Sequence, residues 1–179
     1  LVRDFPYSAA EIVQWKKHVT QLMAELLGIR CSWRDMNVSI AAGDGRFAET
    51  LPGPYIVVHD WTAWAKEGGR VRRWVPEYWD RVNEELKKRG FRVYQVGEEG
   101  EQRVPGATSL LGRTTFHELA AVVQRARACI TIDSMLGHLA TAVRTPAVVM
   151  FGPTPATLLG YECNYNLQAE YPCDPCWWV

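Results

Sequence analysis

The sequence has no apolar run that approaches the ~18 residues a membrane-crossing helix requires. It has no excess charge of either sign, because 20 Lys plus Arg balance 20 Asp plus Glu. A uniformly basic, nucleic-acid-binding surface is therefore not expected, although a local anion site is compatible with this balance. Leu1-Val2-Arg3-Asp4-Phe5-Pro6 lacks the apolar h-region of a signal peptide. There is no internal repeat of fixed period and no low-complexity stretch, which excludes collagen-like, coiled-coil and disordered chains. Cysteine is sparse and odd in number, with five at positions 31, 129, 163, 173 and 176. That fits cytoplasmic thiols or metal ligands better than a secreted disulfide framework.

What remains is an ordinary soluble composition: 179 residues, 47% hydrophobic and 22% charged. A chain of this length buries roughly 70% of its unfolded surface, enough for one sizeable core. It starts with Leu rather than Met and stops at Trp177-Trp178-Val179, just after a cysteine pair. Both ends lead us to expect a piece of a longer protein. Exposed, Trp177-Trp178 would form an apolar patch, so a further domain or subunit is expected to cover it.

Hydrophobic periodicity divides the chain into three parts. Residues 1–54 read as a connecting helix and linker. The Ser8 to Glu11 capping box opens the helix, apolar residues recur at helical spacing to Leu27, and Gly28 stops it. One short strand is expected near Met36 to Ile40. Residues 55–156 alternate strand and helix. Strands are expected at Tyr55 to His59, Phe91 to Val96, Leu110-Leu111, Ala128 to Ile132 and Ala147 to Phe151. Helices are expected at Pro76 to Arg89, Thr115 to Arg127 and Ser134 to Val143. Short apolar strands separated by helices imply a parallel α/β sheet with helices on both faces, a Rossmann-like fold. Residues 157–179 read as a loop bearing a C-x-x-C pair.

Ligands of such sheets bind beyond the carboxyl ends of the strands. Polar and glycine clusters follow four strands here: His59 to Thr62, Gly97 to Glu101, Asp133 to His138 and Gly152 to Pro155. At the third cluster, Ser134 opens a helix whose first amides and dipole favour an anion such as a diphosphate. The Ser134 hydroxyl and His138, one turn on, are placed to face the same ligand; alternatively Asp133 or Ser134 only caps the helix and His138 packs in the core. Arg72 and Arg73 can bind phosphate oxygens in bidentate fashion, or can simply be solvated. One of Glu98, Glu99 and Glu101 can accept from ribose hydroxyls.

These stretches, together with Arg72-Arg73-Trp74-Val75-Pro76-Glu77, Leu111 to Ala120, Asp133-Ser134 to His138-Leu139-Ala140, and Phe151-Gly152-Pro153-Thr154-Pro155, resemble glycosyltransferase family 9, the heptosyltransferases. The resemblance runs from about His18 to Thr154. It implies the C-terminal, donor-binding half of a GT-B fold, with an N-terminal domain elsewhere in the protein. It implies a nucleoside diphosphate sugar, ADP-heptose in many members, and an acceptor such as lipopolysaccharide core or another glycan or protein. It implies inverting transfer with the catalytic base in the other domain and no cofactor required. By this analogy Thr62, Arg72, Arg73, Asp133, Ser134, Met135 and His138 meet the donor and its phosphates. Glu99 lies near ribose and Thr114 near the base. Arg72 stands where the family usually has Lys, and Met135 where it usually has Gly.

Cys173-Asp-Pro-Cys176 with Cys163 is a set that can hold structural zinc or iron, or else remain free thiols. Cys31 and Cys129 read as buried small residues. Two other readings stay open: a non-catalytic, degenerate Rossmann-like module with a metal-binding tail, and a GT-B enzyme using a uracil nucleotide sugar.

Overall fold

A computed structural model describes residues 17–61 and 73–169. In chain order the elements are α1 (Val19–Leu26), a 3-10 turn (Trp33–Asp35), α2 (Gly45–Glu49), β1 (Tyr55–His59), α3 (Pro76–Lys88), β2 (Arg92–Gln95), β3 (Thr108–Ser109), α4 (Phe116–Arg125), β4 (Ala128–Ile132), α5 (Met135–Ala142), β5 (Ala147–Phe151), α6 (Ala156–Leu159) and β6 (Tyr165–Gln168). The six strands form one sheet in the order β3-β2-β1-β4-β5-β6, and every neighbouring pair is parallel. The expected α/β architecture is met.

Alternation along β1 shows why both faces must be covered. Tyr55 and Val57 pack with Leu119, Val122 and Val123 of α4 and with Leu136 and Leu139 of α5. Ile56 and Val58 point the other way, onto Trp79 of α3. All five β1 residues are buried, as in a parallel sheet with helices on both faces. Each fully buried side chain of this size contributes about 2 kcal/mol relative to an exposed one. Caps set the helix limits: α3 begins with Pro76, which has no amide to leave unpaired. Before α4, Thr115 and Glu118 form a reciprocal capping box.

Three expectations differ from the structure. No strand forms at residues 36–40; Val38 and Ile40 instead pack half-buried against the α4 and α5 side of the core. Their alternation is met by packing rather than by pairing. The third strand lies at Thr108–Ser109, and Leu110 beyond it is buried in the core. Residues 157–169, expected as loop, carry the end of α6 and the strand β6, so the sheet continues past residue 156. β6 is an exposed edge strand, which its polar composition left unannounced. The Ser8 to Glu11 capping box lies outside the described residues, where the helix is seen from Val19, capped by His18.

Candidate functional site

The strand order reverses between β1 and β4, so the connections diverge there and open a crevice beyond the carboxyl ends. A cleft of about 670 Å³ occupies this position. Its walls come from His59 and Trp61 after β1, Gly97, Glu98 and Glu101 after β2, Thr114 to Phe116 at the start of α4, and Asp133, Ser134, Met135 and His138 at the β4–α5 junction.

Ser134 precedes α5 in extended conformation but makes no side-chain cap to the helix. Its hydroxyl is drawn sideways, 2.9 Å from His59 Nδ1 and 2.9 Å from Thr131 Oγ1. The Ser134 side chain therefore does not take up the first-turn amides of α5, and amides at a helix start beside a cleft suit an anion. His59 Nε2 in turn lies 3.2 Å from Glu101 Oε2, and the Glu98 amide donates to Glu101 Oε1 at 3.0 Å. The Asp133 carboxylate accepts from the buried Thr154 hydroxyl at 2.6 Å, which ties the Gly152 to Pro155 turn to the site.

His138 faces the cleft while its Nδ1 lies 2.7 Å from the Tyr161 hydroxyl. Burial holds the His138 pKa below its ordinary value, against the opposing pull of Asp133. Burial also pushes the Tyr161 hydroxyl up to about 12, so tyrosine keeps its proton. When that hydroxyl donates to Nδ1, the neutral imidazole carries its hydrogen on Nε2. Met135 is 46% exposed and lies at the cleft wall.

The structure brings Thr114, Asp133, Ser134, Met135 and His138 together around one cleft. It places two other expected residues elsewhere. The Arg73 guanidinium donates to the Asp60 carboxylate at 3.1 Å and also bonds Gln102. The reason is electrostatic: Asp60 is buried and requires a counter-charge. Glu99 is exposed and does not line the cleft, whereas Glu98 and Glu101 do. Thr62 and Arg72 lie outside the described residues, as do Cys173 and Cys176. Cys163 is an exposed free thiol and Cys129 a buried one, whose pKa burial pushes up to about 12. Among the described residues no three His, Cys, Asp or Glu side chains converge as a metal site would require, and no helix is long and apolar enough to cross a membrane. Sequence alone assigns no role to His59, offers Glu101 only as one of three acidic residues that can accept from ribose hydroxyls, and assigns none to Phe116. The signal for the first two was a polar residue ending an apolar strand beside an acidic loop.

Strand order, switch-point crevice and helix start together define a Rossmann-like α/β domain with its crevice at the carboxyl edge of the sheet. More particularly, the chain belongs to glycosyltransferase family 9 (heptosyltransferase), whose family model matches residues 13–176. Lipopolysaccharide heptosyltransferase 1 of Pseudomonas aeruginosa is 28% identical over 186 residues, which is 95% of this chain and 50% of that protein. The chain thus spans about half the length of this curated relative. The crystal structure of a glycosyl transferase family 9 protein from Veillonella parvula superposes with a TM-score of 0.70 at 17% identity, covering 88% of this chain and 50% of that one. The dodecameric iron-containing heptosyltransferase TibC, solved in complex with ADP-D-β-D-heptose, superposes with a TM-score of 0.62 at 23% identity, over 72% of this chain and 34% of its own; TibC comes from enterotoxigenic E. coli H10407.

Proposed function

We propose that this chain is the donor-binding half of an inverting, heptosyltransferase-like glycosyltransferase of the GT-B type, holding a nucleoside diphosphate sugar of the ADP-heptose class in the β1–β4 cleft. The observation that carries this reading is the α5 start. It borders the switch-point cleft without a side-chain cap from Ser134, in a chain whose family match spans residues 13–176. The diphosphate lies against the Ser134 and Met135 amides, with Asp133 and His138 beside it and the base toward Thr114. Thr62 and Arg72 complete the phosphate contacts. The acceptor, lipopolysaccharide core or a related glycan or protein, approaches with the other half of the enzyme, which supplies the base. An acceptor hydroxyl attacks the anomeric carbon, and this half stabilises the departing diphosphate with amides and cationic groups. No cofactor is required for that chemistry. The cysteine usage fits a cytoplasmic enzyme.

Calorimetry of the purified chain with ADP, UDP and adenosine tests the reading. ADP is expected to bind most tightly, and Arg72→Ala to weaken ADP about tenfold with little effect on adenosine, as loss of a charged hydrogen bond implies. Equal affinity for ADP and adenosine would remove the phosphate assignment. Tighter binding of UDP would favour a uracil nucleotide sugar, and no nucleotide binding would favour a non-catalytic module.

A further inference from the structure

We propose that Tyr161 is a positioning residue for the diphosphate: its hydroxyl keeps the ring hydrogen of His138 on Nε2, where it is offered to a phosphate oxygen. This rests on the donor-binding reading above and concerns a residue to which that reading gives no task.

Tyr161 is held firmly against α5. Its backbone carbonyl accepts from the Asn166 side-chain amide at 2.9 Å and from the Asn164 backbone amide at 3.0 Å. Asn164 Nδ2 also donates to Thr141 Oγ1 at 2.9 Å, which ties the segment to the helix that carries His138. The Tyr161 ring meets two histidines, His18 stacked at 4.4 Å and His138 edge-on at 5.5 Å. Only 5% of the residue is exposed.

The hydroxyl has one hydrogen, and among the described residues its hydrogen-bond partner is His138 Nδ1, at 2.7 Å. If Nδ1–H donated to the oxygen, the tyrosine hydrogen would be buried without an acceptor, the costlier arrangement. With the hydroxyl donating, Nδ1 accepts and a neutral ring carries its hydrogen on Nε2. Burial favours both neutral forms: it holds His138 below its ordinary value against the pull of Asp133, and pushes Tyr161 up to about 12. Nε2 has no hydrogen-bond partner among the described residues, and it is not one of the unpartnered atoms sealed from solvent. His138 stands on the cleft wall, one turn along α5 from Ser134. A free N–H there suits a phosphate oxygen. In the other tautomer a lone pair would face the anion instead.

Nitrogen-15 NMR of the chain at about pH 8, above the ordinary histidine value of about 6.5, reads the tautomer of the neutral ring. His138 is expected to show a protonated Nε2 and a bare Nδ1. Tyr161→Phe keeps the aromatic ring and removes only the hydroxyl, so the two tautomers should mix. Calorimetry in the same buffer should then show ADP binding weakened about fivefold, because only rings presenting Nε2–H are competent. Adenosine binding should change little. His138→Ala should weaken ADP about tenfold, and adding Tyr161→Phe to it should weaken ADP no further, because the tyrosine acts through the imidazole. Thermal melting confirms that each variant is folded. A hydrogen on Nδ1 in the unaltered chain overturns the inference whatever the variants do. So does a folded Tyr161→Phe chain that binds ADP as tightly as the unaltered one, or a further loss in the double variant. Each of these leaves the donor reading standing. Failure of the unaltered chain to bind ADP overturns both.

Discussion

Only 1% of the Asp60 side chain meets solvent, and 14% of its partner Arg73 does. Burial raises the Asp60 pKa, while the Trp74 amide and the Arg73 guanidinium oppose the rise. The native state therefore holds the Asp60 proton to higher pH than the unfolded chain does. Ionising Asp60 costs stability as pH rises through that window, and Arg73 limits the cost. Removing Arg73 leaves a buried charge without its partner. Arg73→Ala should lower stability by about 3 kcal/mol at neutral pH. The deficit should shrink in mild acid, as Asp60 protonates. Urea denaturation at the two pH values measures both, and a deficit independent of pH would show that Arg73 acts through packing alone. At this scale the sequence was misleading: two adjacent arginines near a glycine-containing loop look alike, and only the burial of Asp60 distinguishes Arg73.

Secondary elements were the most legible level. The largely apolar runs at 55–59, 128–132 and 147–151, in which His59 and Thr131 are the polar members, form β1, β4 and β5 with the expected limits, because a strand covered on both faces carries few polar residues to blur its pattern. β6 and the failed strand at 36–40 were not legible, since an edge strand and a packed loop differ in partners rather than in pattern. The cleft was legible as a place, the carboxyl edge of the sheet, but not as a set of contacts. His59 and Glu101 meet through the turn after β2, and Gly97 makes that turn possible. Gly97 has φ +147°, and a Cβ there would lie 2.2 Å from Glu101 Oε2. Gly97→Ala should destabilise the fold by about 2 kcal/mol from backbone strain and displace Glu101 from His59. Thermal unfolding together with the Glu101–His59 separation in a structure of the variant checks this. A variant that keeps both unchanged would show that the turn does not hold the pair.

Over the whole molecule, residues 17–54 are fastened to the sheet around Tyr161. His18 stacks on the Tyr161 ring at 4.4 Å, His138 meets its hydroxyl, Trp33 Nε1 donates to Glu162 at 2.6 Å, and the Arg144 guanidinium donates to the Trp33 carbonyl at 3.1 Å. Burial holds both His18 and His138 below the ordinary histidine value, and His138 adds charge repulsion to His18. As pH falls through the ordinary histidine range, the unfolded chain takes up protons that the folded chain refuses, so unfolding gains ground. Stability conferred by the two neutral rings is complete above that range and declines below it. The urea midpoint should therefore fall on acidification, and His18→Gln with His138→Gln should flatten the decline while leaving the neutral-pH midpoint lower than in the unaltered chain. Because His138 also lines the cleft, the same titration joins the fastening of residues 17–54 to the cleft. A decline of unchanged slope in the double variant would assign the acid sensitivity to carboxylates instead.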